Sequence, residues 1–73
     1  MATQIVMDHS GDTRHYFDMK DAEARAEAQA RFEYLIGRGF TAAIRKDSHE
    51  VARVRSFDPT AEETMFFPRL VGG

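Results

Sequence analysis

The chain has no cysteine, only two prolines and no apolar run longer than three residues. Without cysteine there is no disulfide staple and no thiolate-bound zinc or iron–sulfur site. Folding of so short a chain hides only about 60% of the surface that the unfolded chain exposes, so 73 residues must hold together by packing alone or with a partner. The longest apolar runs, such as Tyr34-Leu35-Ile36 and Met65-Phe66-Phe67, are far too short to cross a bilayer. Met1-Ala2-Thr3-Gln4 has neither a basic nor an apolar region of the kind that opens a secretory signal. The absence of cysteine fits a reducing compartment, so a cytoplasmic location is the expectation. A basic excess is also missing. Ten Lys and Arg face twelve Asp and Glu, for a net charge of −2. A dedicated duplex-DNA binder would be basic, so nucleic acid is not an expected partner.

What is present has clear periodicity. Ile5, Met7 and His9 alternate with Gln4, Val6 and Asp8, and His15 and Phe17 alternate with Arg14 and Tyr16. The polar Ser10-Gly11-Asp12 between them predicts a β-hairpin. From Met19 to Arg38 strong helix formers dominate, with no β-branched residue before Ile36. Ala24, Ala28, Phe32, Leu35 and Ile36 fall on one helical stripe. Asp18 or Asp21 can cap its start. Asp21 with Arg25 and Glu27 with Arg31 have the spacing of helical ion pairs. Gly37 and Gly39 supply a left-handed stop, with Phe40 folding back on the last turn.

Beyond the helix, Phe40 to Arg45 predicts a strand with Phe40, Ala42 and Ile44 inward, and Lys46-Asp47-Ser48-His49 a turn. Glu50 to Phe57 predicts a further strand, with Ala52 and Val54 on one side and Val51, Arg53 and Arg55 on the other. Asp58-Pro59 ends it. Thr60-Ala61-Glu62-Glu63-Thr64 has the form of one helical turn capped by Asp58. Met65-Phe66-Phe67 is too short to assign by periodicity. The fold class is therefore α+β, a ββαββ arrangement with one helix packed on a small antiparallel or mixed sheet. Residues 1–68 form one domain, and 69–73 a flexible tail.

Material for catalysis is scarce, and no enzyme activity is expected. Asp8, His9, Asp12 and His15 cluster in sequence but match no metal-ligand spacing, so no metal or other cofactor is expected. Ser48 and His49 are sequence neighbours with no third group to orient them. Glu62-Glu63 after Asp-Pro suits a helix start better than an acid–base pair. Gly37 and Gly39 lie at the wrong end of the helix to cradle phosphate. Arg45, Arg53 and Arg55 would project from one sheet face, where they could meet an acidic partner. RNA binding on a sheet would call for more exposed aromatics than Tyr16 offers.

The chain closes with Pro68-Arg69-Leu70-Val71-Gly72-Gly73. At average glycine usage a terminal pair occurs in roughly one chain in two hundred, which makes it the sharpest signal present. Lacking side chains, a diglycine can thread a narrow channel and present its carboxylate. Gln4-Ile5-Val6-Met7 with the Ser10-Gly11-Asp12-Thr13 turn, together with Arg69-Leu70-Val71-Gly72-Gly73, resembles the first hairpin and the Arg-Leu-x-Gly-Gly end of the ubiquitin-like β-grasp family. The resemblance implies a non-enzymatic protein carrier or modifier. It implies an E1-like partner that adenylates Gly73, followed by transfer as a thioester or thiocarboxylate. It also implies that Gly72 and Gly73 carry the activation, with Arg69 and Leu70 among the partner-binding residues. The alternative reading is a small interaction module using the Arg45, Arg53 and Arg55 face or the Met65-Phe66-Phe67 segment.

Overall fold

The computed structural model describes residues 1–46 and 50–68. β1 (Ala2–Asp8) and β2 (Gly11–Phe17) form a hairpin closed by His9 and Ser10. The bend comes earlier than the Ser10-Gly11-Asp12 cluster suggests. Asp8 Oδ1 accepts from the Ser10 backbone N–H at 2.8 Å and from the Ser10 hydroxyl at 2.5 Å, which closes the loop locally. Gly11, with φ at +126°, then opens β2 in a conformation that a side chain would strain.

α1 (Ala22–Gly37) begins later than Met19. Asp18 forms a separate turn before it, with its carboxylate accepting from the Lys20 N–H and its carbonyl from the Asp21 N–H. Asp21 is the cap, accepting from the N–H groups of Glu23 at 3.0 Å and Ala24 at 3.2 Å. The far end closes at Gly39, while Gly37 is the last helical residue and takes no left-handed conformation. The Gly39 N–H donates to the Ile36 carbonyl at 2.9 Å and the Phe40 N–H to the Leu35 carbonyl at 3.0 Å. Gly39 takes φ +94°. This pair of bonds is a Schellman motif, and the packing of Phe40 in the same cluster as Leu35 completes it.

β3 (Thr41–Arg45) and β4 (Val51–Val54) follow as an antiparallel pair. β4 is shorter than the Glu50–Phe57 expectation, because the chain bends at Arg55-Ser56 and turns Phe57 inward. The segment read as a helical turn is otherwise employed. Asp58 to Ala61 make a single turn, with the Ala61 N–H donating to the Asp58 carbonyl and the Asp58 carboxylate accepting from both the N–H and the hydroxyl of Thr60. Glu62 then enters the sheet: its N–H donates to the Arg45 carbonyl, and its carbonyl accepts from the Thr3 N–H. Glu63 to Phe67 are a fifth strand, β5 (Glu63–Phe67).

The sheet order is β2-β1-β5-β3-β4, with β5 parallel to β1 and every other pairing antiparallel. The domain is thus α+β, one helix across a five-stranded mixed sheet. Register defines two kinds of row across the strands. His15, Gln4, Thr64, Ile44 and Ala52 form one, and Thr13, Val6, Phe66, Ala42 and Val54 the next. These face α1, since Phe66 and Ala42 pack with Phe32 and Leu35. Phe32 sits edge-on to Phe66 at 5.6 Å and to Phe57 at 5.9 Å. Phe57 also lies 6.3 Å from Phe17, so it links the cluster around Phe32 to the cluster of Ala2, Phe17 and Ala28. Phe32→Ala should cost about 3–5 kcal/mol, most of the stability of so small a domain. Urea unfolding of the variant tests this, and an unchanged midpoint would contradict the packing described.

Candidate functional site

The opposite sheet face carries the candidate partner residues. Its rows are Tyr16, Thr3, Glu63, Arg45 and Val51, then Arg14, Ile5, Met65, Ala43 and Arg53. Arg45 and Arg53 therefore project on the side away from the helix, as alternation requires. Arg55 lies just past β4, exposed in the bend. The three arginines are not equivalent. Arg45 Nη2 bonds Glu63 Oε2 at 2.8 Å across neighbouring strands, and its charge is spent within the fold. Arg53 and Arg55 are exposed, and neither joins an ion pair among the described residues. Arg14 was not singled out by the sequence reading, because its strand lies far from the others in sequence. It brackets the same apolar strip of Ile5, Met65 and Ala43 from the opposite edge.

Beside β4, at the C-terminal end of α1, a cleft of about 500 Å³ has Ile36, Phe40, Thr41, Ala42 and Val54 as its lining, with Arg53 and Arg55 completing it. Periodicity could not show this cleft. It arises where the Schellman turn carries the chain from helix to sheet and leaves Phe40 only half-buried.

The other candidates disperse. Arg69, Leu70, Gly72 and Gly73 lie outside the described residues, as do Ser48 and His49. Ser10 is tied to Asp8. His15 faces the helix, while Asp12, paired with Met7, faces away. Among the described residues no three His, Asp or Glu side chains converge as metal ligands would. No helix described is long and apolar enough to cross a membrane. Glu63 pairs with Arg45, and Glu62 is exposed beside it. No protein-family model, curated protein or solved structure matches the chain.

A polar contact inside the domain went unread. Gln4 is fully buried between sheet and helix, its Nε2 donating to the Ala28 carbonyl at 3.0 Å and its Oε1 accepting from Arg31 Nη1 at 2.7 Å. Arg31 thus serves Gln4, and Arg25 Nη1 serves the Met19 carbonyl at 2.7 Å. The helical pairs Asp21–Arg25 and Glu27–Arg31 are not among the ion pairs of the described residues. A bond from a guanidinium to a buried amide outweighs an exposed pair worth only a few tenths of a kcal/mol. His15 lies opposite Gln4. Partial burial and then the Arg31 charge hold its pKa below the ordinary 6.5. Asp58 is held below 3.8, first by the Thr60 hydroxyl and N–H and then by Lys46, which it meets at 3.0 Å. Asp8 is lowered chiefly by Ser10.

Two predictions follow from these contacts. Gln4→Leu leaves Arg31 without its acceptor and should destabilise by about 1–3 kcal/mol, whereas Gln4→Leu with Arg31→Met removes both partners and should recover most of the loss. Denaturant unfolding of the cycle reads this; additive losses would mean that the pair is not coupled. The depressed pKa values act in one direction. A group with its folded pKa below the unfolded value contributes stability that is present above the unfolded value and lost as pH falls. Melting temperature should therefore begin to fall as pH drops through 6.5 because of His15, and fall again below 3.8 because of Asp58 and Asp8. His15→Gln should abolish the first decline and leave the second.

Proposed function

We propose that the chain is a ubiquitin-like protein carrier or modifier activated at Gly73. The observation that carries the reading is β5. A carrier of this kind needs a final strand that leads straight from the body of the fold into a Gly-Gly tail. Here the last strand lies between β1 and β3 and ends at Phe67. Pro68, without an N–H to donate, is poorly suited to extend the ladder. Arg69 to Gly73 follow at once in the sequence. The hairpin at the other end of the chain and the helix lying across the sheet agree with the same resemblance.

In the reaction proposed, the Gly73 carboxylate attacks the α-phosphorus of ATP in an E1-like enzyme and expels pyrophosphate. A thiolate or sulfide then displaces AMP from the acyl adenylate, giving a thioester or thiocarboxylate. The carboxylate must be free, either from synthesis or after removal of whatever follows it. The two glycines suit a narrow channel because they carry no side chain to clash with its walls. A second reading, an interaction module without chemistry, is favoured by one observation: Arg14 and Arg53 stand exposed on the sheet face away from the helix, and neither joins an ion pair among the described residues.

The readings separate in one assay. With ATP and an E1-like enzyme from the same genome, the carrier should support ATP–pyrophosphate exchange that is lost on deletion of Gly73. Exchange that is absent, or indifferent to the deletion, would leave the interaction module in its place.

A further inference from the structure

We infer that the free edge of β4 accepts an extended acidic segment of a partner protein as an added strand, with one apolar side chain of that segment seated in the cleft beside it. The inference goes beyond the carrier reading and does not depend on it.

Among the described residues β4 is the last strand of the sheet and pairs with β3 alone. In an edge strand alternate residues turn their N–H and C=O groups outward, ready for a further strand. Most such edges are simply solvated. Here the edge adjoins a cleft on its helix side, in which Ile36, Phe40, Ala42 and Val54 supply the apolar part and Thr41, Arg53 and Arg55 the polar part. Added strands gain affinity from main-chain bonds and selectivity from pockets that take alternate side chains. One apolar side chain would enter the cleft, and its neighbours along the strand would fall on the opposite face, beside Arg53.

Charge selects the occupant. From Tyr34 to Phe57 the sequence holds Arg38, Arg45, Lys46, Arg53 and Arg55 against Asp47 and Glu50, within a chain of net charge −2. Arg45 and Lys46 are paired with Glu63 and Asp58. Arg38 lies exposed over the Tyr34 ring at the helix end, and Arg53 and Arg55 stand exposed at the edge itself. A second copy adding its own β4 would set these arginines against their equivalents, and like charges opposed across a sheet are unfavourable. A segment alternating apolar and acidic residues meets no such penalty.

The test uses the full chain, 15N-labelled, with a synthetic peptide of about nine alternating Val and Glu residues as probe and a Val/Lys counterpart. The Val/Glu peptide should shift the amides of Val51 to Arg55 together with Ile36 and Phe40, and should slow exchange in β4. Binding should weaken with salt, and the Val/Lys peptide should leave the spectrum unchanged. Arg53→Glu with Arg55→Glu should weaken the Val/Glu peptide about tenfold or more and admit the Val/Lys peptide. Arg53→Gln with Arg55→Gln gives an intermediate loss, and a dispersed spectrum verifies the fold of each variant. Deletion of Gly73 should change none of this, which separates the edge from the carrier chemistry. Equal binding of the two peptides, shifts confined to Ile5 and Met65, or no shift in β4 would overturn the proposal. So would β4 shifts produced by a uridylate oligomer and not by the Val/Glu peptide.

Discussion

Phe32 is the residue on which the fold depends. The first half of the helix stripe offers only alanine, so α1 lies close to the sheet there and contributes little volume. Ala28 is fully buried on that side. The bulk has to come from one ring near the middle of the helix, and from what the sheet and loops bring to it. Phe66 reaches it from the central strand and Phe57 from the loop after β4, both edge-on. Edge-to-face rings add about 0.5–1.5 kcal/mol per pair to the area they bury. Because Phe57 also touches Phe17, the two clusters under the helix behave as one core. A domain with no covalent staple has few other means of coupling its ends.

The second constraint is polar. Gln4 occupies a core position on β1, with its amide matched at both ends by Ala28 and Arg31. No buried side-chain polar atom among the described residues is left without a partner. A buried amide that is fully satisfied favours one alignment of helix over sheet. A shift of the helix by one residue would leave both of its bonds unmade, at a cost of about 1–3 kcal/mol for each group stranded. Apolar contacts alone tolerate such slips better. In this domain the rings supply cohesion and Gln4 supplies alignment.

Those roles explain which features the sequence disclosed. The hairpin, the helix and its Schellman stop are local: each is written in a stretch of adjacent residues, as alternation, stripe or glycine. The sides of Ala52, Val54 and Arg53 were legible for the same reason, since a period of two needs no partner, whereas Arg55 lies past the end of β4 and outside that alternation. β5 was not. Its apolar centre, Met65-Phe66-Phe67, is short and preceded by Glu62-Glu63-Thr64, and Asp58-Pro59 ahead of it has the form of a helix start. Only the flanking strands make it a strand. Phe57 was hidden at the end of an apparent strand, and Gln4 reads as polar in a position where a core residue stands. Of the candidate site, the exposure of Arg53 and Arg55 could be foreseen. The pairing of Arg45 with Glu63, the place of Arg14 and the cleft beside β4 could not, because each joins residues distant in sequence. The tail residues lie outside the described part of the chain.

The central position of β5 has a consequence for how the molecule is made. The strand that joins the β1–β2 hairpin to the β3–β4 pair follows the other four in chain order. Until about residue 67 has left the ribosome, the two halves share no sheet, and Phe32 lacks the ring of Phe66 beneath it. Folding must then close the parallel β1–β5 pairing across nearly the whole chain. Contacts of such long sequence separation are slow to form. A nascent chain that has not yet presented β5 therefore leaves the apolar faces of its hairpin and helix uncovered, and the sheet can close only once that strand is available.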